Sequence, residues 1–555
     1  MNMKVALTTL NAKFIHPNLA LRWLYVAKTP GHDARIFEFT IKDDLDKCTQ
    51  KISEFEPDVI GVSCYIWNAS YLKNWIMKMK KAMPRARIVL GGPEVSFEYQ
   101  RYLFAEVDAI IRGEGEVTFW QYVDGKKEIE GIVTKDYISP VTYSKVDVRM
   151  LEKLESPYLL EFDRPLMSRK YLYVETSRGC PYQCSYCLAS LDNRIRDFSL
   201  EYLFDLLDKL RETDVQQVKF LDRTFNYSND RSMTIARKLL TMPETMSFQF
   251  EVMADRLSDE MMNLIINNPV KSRFRFEVGL QSFNCDALEA VGRRQNLDKL
   301  CENIKLMRRN ETIVHVDLIA GLPYEDLNSF KETYQKLFSL DASEMQVGIL
   351  KLLHGSKLYY QQDEFQINAS TESPYQIIDN PWVRKEDIEA VEMVALASEK
   401  LWNRGYCKDA LWYLYEKGYN MFDYMQKLGE KINALGKPYQ PDQLFRIVYD
   451  SVDDKDFRGL LLNDYYRLFK QRPVRITEEP ITRQKKQLIF NALVEADQLV
   501  EKDLRYTLFE RAYNGYQAVL YNSDQRYPVR FFVSEDYQYT GREDLNERHN
   551  DCHLK

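Results

Sequence analysis

The first 120 residues alternate short apolar runs with amphipathic segments. Five of the runs are rich in β-branched residues, and helical periodicity separates them. This pattern predicts a doubly wound α/β domain with a parallel sheet. Ligands bind such a sheet at the carboxyl ends of its strands. The predicted strands are Lys4–Thr9, Ala34–Thr40, Asp58–Ser63, Arg87–Leu90 and Asp108–Ile111.

A second alternation covers residues 170–354 and predicts six further strands. Helical stretches at 200–210, 230–240 and 328–338 separate several of them. Repetition of strand, helix and parallel strand predicts a partial β/α barrel, in which functional residues lie on the loops after the strands. The predicted strands are Tyr171–Thr176, Gln217–Leu221, Ser247–Val252, Arg273–Val278, Ile313–Leu318 and Met345–Leu350.

The last third of the chain is mainly amphipathic and helical, and it then turns to strand-like alternation. Strands at 515–522 and 527–533 around Asn522–Asp524 predict a small β hairpin. The predicted helices are 385–402, 439–452, 456–469 and 484–500. The whole chain therefore divides into residues 1–125, a proline-containing linker at 126–169, a barrel at 170–360, a helical domain at 361–540 and a flexible tail at 541–555.

Composition narrows the class of partner. The chain has 555 residues, 45% of them hydrophobic, and a formal net charge of -7. The negative net charge argues against electrostatic binding of nucleic acid over a broad surface. The sequence contains no signal peptide and no run of about 18 apolar residues. We expect a cytoplasmic protein that acts away from membranes on a small molecule or a peptide.

The strongest chemical signal is the loop after the first predicted barrel strand. Cys180, Cys184 and Cys187 form the spacing C-x-x-x-C-x-x-C. Thiolates select soft metals and iron–sulfur clusters, and three closely spaced cysteines cannot all pair as disulfides. Three ligands leave one coordination position vacant, as a catalytic centre requires. A zinc site completed by a distant residue, or cysteines buried as small hydrophobes, are the alternatives.

The rest of the barrel resembles the radical S-adenosylmethionine (SAM) superfamily between about residues 171 and 358. The cysteine loop with Tyr186, the strand end Phe220–Asn226, the segment Phe276–Ser282 and the turn Leu353–Leu358 are similar to motifs of that superfamily. The resemblance implies a [4Fe-4S] cluster on the three cysteines, with SAM on the fourth iron, cleaved reductively to methionine and a 5'-deoxyadenosyl radical. It implies cofactor contacts from Tyr186, Asp222, Glu277, Gln281, Gly321 and Gly355.

The first domain resembles the Rossmann-like, cobalamin-binding domain of methionine synthase and its relatives. Its third and fourth strands end in Ser63 and Gly91-Gly92, as in that family, and the fifth is followed by Gly113-Glu114. We expect these five residues to border cobalamin. The family's D-x-H-x-x-G motif, which supplies a lower axial histidine, is absent. His16 lies in the corresponding loop, and cobalamin could also bind without a histidine ligand.

Together, the two resemblances imply a cobalamin-dependent radical SAM protein. The last third of the chain is similar to a C-terminal domain of unknown function that one bacterial subgroup of these proteins carries. Most members with known activity transfer methyl groups to unactivated carbon or phosphorus, so we expect methylation of an unactivated carbon, with flavodoxin or ferredoxin as reductant. The alternative is a radical SAM cyclase or rearrangement enzyme, with or without cobalamin. A methylthiotransferase fits less well, because it needs a further cysteine-bearing domain. A cobalamin sensor also fits less well, because it would not explain the cysteine loop.

Overall fold

The computed structural model describes residues 2–469, 476, 481–512, 515–521 and 528–545. The chain divides into two compact units. The first comprises Met1–Asp326 with Ile349–Lys385, and the second comprises Leu327–Gly348 with Glu386–Lys555. In the described part of the chain, no helix is long and apolar enough to cross a membrane.

The first sheet of unit 1 has six strands, and Lys4–Asn11 is an inner strand next to one edge. All neighbours pair in parallel except the last two strands, and the order confirms the doubly wound topology. Ile132–Val133 adds an antiparallel edge strand from the region predicted to be a linker, which corrects that boundary. The strands lie in the order Asp33–Thr40, Lys4–Asn11, Val59–Ser63, Arg87–Gly91, Ala109–Ile111 and Ile132–Val133.

Helices cover both faces of this sheet, and two hydrophobic clusters fill the layers between them. Residues 5–11 are buried on both faces of the strand Lys4–Asn11, as expected for a covered parallel sheet. Trp75, Ile76 and Met79 are fully buried on the sheet side of their helix, as the helical periodicity predicts. The helices are Leu19–Val26, Leu45–Ser53, Ala69–Ala82, Pro93–Ser96 and Thr118–Val123.

The second sheet of unit 1 is the predicted partial barrel. Five consecutive strands pair in parallel: Leu172–Val174, Gln217–Phe220, Ser247–Val252, Phe274–Gln281 and Ile313–Ala320. Glu344–Ile349 is a further β-strand near the predicted strand Met345–Leu350. The intervening helices of unit 1 are Leu200–Leu210, Asn229–Leu240, Asp259–Ile266, Cys285–Ala290 and Leu297–Arg309.

Burial alternates along the barrel strands. In Phe274–Gln281, residues Phe274, Phe276 and Val278 are buried, whereas Arg275, Glu277 and Gly279 are partly exposed on the other face. The strand Ile313–Ala320 shows the same period of two. One face of the sheet therefore packs against helices, and the other presents polar groups to the concave side.

Unit 2 is mainly helical and ends in a four-stranded antiparallel sheet. The predicted hairpin is the centre of this sheet, and Thr507–Ala512 and Tyr539–Asp544 are additional outer strands. The last of these runs into the predicted flexible tail, while the predicted turn at 522–524 and residues 546–555 lie outside the described residues. The helices are Leu327–Phe338, Lys385–Ala397, Lys408–Glu416, Met421–Ala434, Pro441–Tyr449, Lys455–Leu468 and Arg483–Glu495.

Candidate active site

The three cysteines lie on a loop whose backbone is anchored at several points. Cys180 and Cys184 are only 8% and 6% exposed, and Cys187 is half-buried. The Cys180 amide donates to the Asp192 carbonyl at 2.8 Å, and the amide of Ser185 donates to the Val291 carbonyl at 2.9 Å. The three cysteines thus lie on one ordered loop after the first barrel strand, and their role as cluster ligands stays a prediction.

The electrostatic surroundings of the cysteines suit a thiolate-ligated group. Nη1 of Arg293 lies 3.8 Å from Cys184 Sγ, and Thr224 Oγ1 lies 3.9 Å from Cys180 Sγ. Burial raises the pKa of the Cys180 and Cys187 thiols, while the charge of Arg223 lowers that of Cys187. A metal cluster would bind the thiolate forms and displace the protons. Three cysteines that form no disulfide, with Arg293 beside Cys184, therefore fit a [4Fe-4S] cluster.

Arg293 is a site residue that the sequence analysis missed. It follows Gly292, whose positive φ and close approach to the Gln183 carbonyl disfavour any side chain there. Its guanidinium also donates to the Gly279 carbonyl and, at 3.2 Å, to Gln295. A Cβ on Gly279 would lie 3.2 Å from Arg293 Nη2. Only the glycine–arginine pair after a helix could have suggested this residue.

Gln281 has the features expected of a ligand-binding residue. Its φ is +72°, a left-handed conformation that glutamine rarely adopts. The side chain is 8% exposed, and its buried Oε1 atom accepts no hydrogen bond in the structure. Buried acceptors are normally paired, so this oxygen fits a hydroxyl or amino donor such as those of SAM. The predicted contact from Gln281 stays a prediction.

Asp222 is buried and hydrogen-bonded to the start of the cysteine loop. Its two carboxylate oxygens accept hydrogen bonds from the Thr176 amide at 3.0 Å, the Thr176 hydroxyl at 2.6 Å and the Ser177 hydroxyl at 2.5 Å. It is 2% exposed, and burial raises its pKa. Asp222 therefore links the start of the cysteine loop to the end of the second barrel strand, and its predicted cofactor contact stays a prediction.

The cofactor contacts predicted for Glu277, Gly321 and Tyr186 stay predictions. Glu277 accepts a hydrogen bond from Gln249 on the concave face. Gly321 has φ +85°, and its carbonyl accepts from Asn380 at 3.0 Å. Tyr186 is half-buried in the cysteine loop, and burial raises the pKa of its hydroxyl.

Glu251 gives a pH-dependent prediction. Burial raises its pKa to about 7, and the nearby Glu277 and Asp317 carboxylates add to the shift against the charge of Arg223. Between the ordinary pKa and about 7 the folded state holds a proton that the unfolded state has lost, so stability falls as pH rises through this window. Relative to Glu251→Gln, the wild-type protein should lose about 2 kcal/mol of unfolding free energy between pH 5 and 8.

Chemical denaturation of the cofactor-free protein and of Glu251→Gln at several pH values measures this difference. Glu260 is exposed on a helix of the same barrel, so Glu260→Gln serves as the control and should parallel the wild type. A constant difference between wild type and Glu251→Gln across the range would contradict the prediction.

The cobalamin side of the site lies at the carboxyl ends of the first sheet. The position that a Gly91 side chain would fill meets only the Ile111 carbonyl oxygen, at 3.9 Å. The buried Ser63 closes the neighbouring strand, and Thr9 and Asn68 donate to its carbonyl at 2.9 and 3.1 Å. Gly91 thus leaves open space at an ordered edge, which fits a bulky flat ligand.

At three other predicted glycine contacts, protein atoms fill the space that a side chain would take, and the ligand contacts of these glycines stay predictions. A Cβ on Gly92 would lie 2.5 Å from the Cys64 carbonyl oxygen, and one on Gly113 would lie 2.5 Å from that of Ser144. One on Gly355 would lie 2.2 Å from the ring of Phe97. All three have positive φ. Close packing between protein segments therefore requires these glycines.

Gly355 joins the barrel to the cobalamin-binding domain, because Phe97 belongs to the latter. We predict that Gly355→Ala lowers the free energy of unfolding by about 3 kcal/mol, since steric overlap adds to backbone strain. Denaturant unfolding measures the loss. In Phe97→Ala/Gly355→Ala the steric part should disappear. Gly31→Ala, which has φ +99° and no atom within 4 Å, controls for strain; an equal loss there would contradict the role of Phe97.

Glu114 and His16 are also engaged within the protein. Arg196 donates to the two oxygens of Glu114 at 2.6 and 2.9 Å, and the predicted cobalamin contact of Glu114 stays a prediction. His16 Nδ1 lies 2.5 Å from the Tyr173 hydroxyl, and its ring packs against Tyr171. Burial and Lys219 lower the pKa of His16. The histidine thus contacts the first barrel strand.

Comparison with known proteins identifies three family models along the chain. Residues 5–123 match the B12 binding domain, residues 174–337 match the radical SAM superfamily, and residues 363–521 match a protein of unknown function, DUF4080. The chain is a radical SAM protein with a cobalamin-binding domain. The predicted resemblance, its fold class and its cofactors are confirmed: a [4Fe-4S] cluster, SAM and cobalamin.

Two of the curated relatives are named as methyltransferases. An uncharacterized methyltransferase of Pyrococcus horikoshii is 24% identical over 360 residues, which are 62% of this chain and 78% of the relative. The cobalamin-dependent radical SAM methyltransferase TokK of Streptomyces tokunonensis is 26% identical over 373 residues, which are 61% of this chain and 53% of TokK. The match therefore spans only about half of the second relative.

A solved structure supports the fold of this radical SAM protein. The cobalamin-dependent SAM radical enzyme OxsB, with aqua-cobalamin and SAM bound, superposes with a TM-score of 0.59. The match covers 91% of this chain and 81% of OxsB at 16% identity. At this identity the likeness concerns the fold.

Proposed function

We propose that this protein is a cobalamin-dependent radical SAM methyltransferase that methylates an unactivated carbon of a small molecule or peptide. The observation that carries the proposal is the buried cysteine loop in the same compact unit as an ordered cobalamin-binding sheet with open space at Gly91. The methyltransferase relatives support the choice of reaction.

The bound groups would supply radical formation and methyl transfer, and the protein residues hold and shield them. Cys180, Cys184 and Cys187 would hold the cluster, with Arg293 fixed beside Cys184. Gln281 offers an unused buried acceptor to SAM. Ser63 and Gly91 would border cobalamin. Burial of the first two cysteines limits access of water and oxygen to the site.

The partners and the location are part of the proposal. Reductive cleavage needs a one-electron donor, and flavodoxin or ferredoxin is of the right class. The eight described cysteines are all free thiols, which suits the reducing cytoplasm where such donors occur. The function of the DUF4080 region is not assigned.

The test is anaerobic incubation of reconstituted protein with SAM and a strong reductant, with and without cobalamin. Mass spectrometry quantifies 5'-deoxyadenosine and S-adenosylhomocysteine, the latter being the product of methyl donation by SAM. We expect both products, and we expect S-adenosylhomocysteine only with cobalamin.

Formation of 5'-deoxyadenosine alone, with cobalamin bound, would favour the alternative of a cyclase or rearrangement enzyme. Absence of both products from protein with a full cluster complement would contradict the proposal. Cell extract from which macromolecules have been removed supplies candidate small substrates in a parallel reaction, so that a substrate requirement is included in the test.

A further inference from the structure

Two arginines flank the cysteine loop, one on each side of it. Arg178 precedes Gly179-Cys180, and Arg196 follows the loop. Their backbones pair with each other in a short antiparallel ribbon formed by Ser177–Arg178 and Arg196–Asp197. This ribbon closes the base of the loop, so the position of the two arginines sets the position of the cysteines.

Carboxylates of the cobalamin-binding domain hold both arginines. Arg178 Nη2 lies 2.8 Å from Glu116 Oε1, and its Nη1 lies 3.4 Å from Glu114 Oε2. Arg196 Nη2 lies 2.6 Å from Glu114 Oε1. Glu114 therefore bridges the two arginines, and it also accepts the Val146 amide at 2.6 Å.

These contacts are buried and are supported from the loop side. The side chains of Arg178 and Glu116 are 9% and 8% exposed. Glu175 lies 3.0 Å from Arg178, and Asp192, whose carbonyl accepts the Cys180 amide, lies 2.7 Å from Arg196. Bidentate arginine–carboxylate contacts fix geometry as well as charge. The cysteine loop is thus attached to the fifth strand of the first sheet.

The fifth strand ends at the edge where cobalamin is proposed to bind. The Glu114 contacts begin three residues after Ile111, whose carbonyl oxygen is the nearest atom to the open position at Gly91. The same strand end therefore borders the cobalamin side and binds the base of the cysteine loop through ion pairs. No covalent link other than the connector joins these two parts of the chain.

We propose that Glu114 and Glu116 are positioning residues that fix the distance between the cluster and cobalamin by holding Arg178 and Arg196. This inference rests on the proposed function for the identity of the two groups. Both carboxylates act through the arginines that they contact. Radical formation and methyl transfer must reach one substrate, so their separation has to be set by the protein.

The first test measures hydrogen exchange of residues 177–198 in the anaerobically purified protein. The Glu114→Gln/Glu116→Gln variant should exchange the Cys180 amide at least about tenfold faster than wild type, because protection reports local opening. Asp108→Asn is the matched control, since Asp108 binds Lys80 at 3.1 Å at the other end of the same strand, and it should leave residues 177–198 unchanged.

The second test measures the dipolar distance between cob(II)alamin and the reduced cluster by pulsed electron paramagnetic resonance. Wild type and Asp108→Asn should give one narrow distance, and the double variant should give a broad distribution. Arg178→Lys keeps the charge but cannot bridge several carboxylates, so it should be intermediate. If the double variant does not fold, Glu116→Gln alone is compared with Asp108→Asn.

Unchanged exchange at 177–198 or an unchanged distance distribution would overturn the inference. An increase of exchange spread evenly over both sheets would also overturn it, because the two carboxylates would then serve general stability. Protein that binds no cobalamin would contradict the proposed function, and the exchange measurement would still decide whether the carboxylates position the loop.

Discussion

Replacement of Cys184 by alanine should abolish 5'-deoxyadenosine formation and leave less than about one hundredth of the wild-type rate, a loss of over 2.7 kcal/mol of transition-state stabilisation. Cys184 is 6% exposed in the middle of the loop and lies 3.8 Å from Arg293. With two thiolates left, one more iron would lack a protein ligand, and the cluster would be lost or incomplete.

The measurement is anaerobic SAM turnover together with iron and sulfide analysis of the reconstituted variant. Cys285 is an exposed cysteine outside the loop, so Cys285→Ala controls for the loss of a thiol and should match the wild type in both assays. Full iron content and normal turnover in Cys184→Ala would show that the three cysteines do not hold a catalytic cluster.

The strand and helix pattern could be predicted where local signals are strong. The helix Leu200–Leu210 and the strand Ser247–Val252 have the predicted bounds, because Ser199 caps the helix and the strand alternates polar and apolar residues. The strand Phe274–Gln281 extends three residues beyond its predicted end at Val278. Gly279 and the left-handed Gln281 give no local strand signal, and pairing with Ile313–Ala320 overrides propensity.

The sequence did not predict the two outer strands of the C-terminal sheet, because they too form by tertiary pairing and lack a local strand signal. Thr507–Ala512 buries the charged Glu510, and Tyr539–Asp544 is polar with alternating exposure at the sheet edge. Neither strand has the apolar alternation on which strand prediction rests. Their pairing with the central hairpin supplies the missing information, and that pairing is tertiary.

The candidate site shows which chemistry a sequence motif can reveal. The cysteine spacing is local, so the loop could be predicted from the chain alone. Glycines at strand ends are ambiguous, because protein and ligand atoms need the same free space. Gly91 is open, whereas the space at the adjacent Gly92 is filled by the Cys64 carbonyl. Only the packed structure separates the two cases.

The roles of the charged residues of the site were harder still to predict, because they depend on long-range contacts. Glu114 was expected to border cobalamin, but Arg178 and Arg196 approach it from distant parts of the chain. Arg293 reaches Cys184 only because Val291 docks on Ser185 and Gly279 leaves room for the guanidinium. The residues of such networks have no characteristic spacing along the chain, so a single sequence does not reveal them.

Arg293→Met should lower the reduced-to-oxidised ratio of the cluster about tenfold at a fixed solution potential, which for a one-electron couple is a shift of about 59 mV to lower potential. The guanidinium is held 3.8 Å from Cys184 Sγ by Gly279 and Gln295. A fixed cation in a buried site stabilises added negative charge, and its loss makes reduction harder. The rate of 5'-deoxyadenosine formation should fall at least about tenfold.

A redox titration followed by electron paramagnetic resonance measures the potential of wild type, Arg293→Met, Arg293→Lys and Arg294→Met. Arg294 is the exposed neighbour, so Arg294→Met removes the same formal charge outside the site and should leave the potential near the wild-type value, because exposed charges are screened by solvent. Arg293→Lys should retain part of the effect. Equal potentials for Arg293→Met and Arg294→Met would exclude electrostatic tuning by Arg293, and any remaining loss of turnover would then place its role in binding SAM or in holding the cysteine loop.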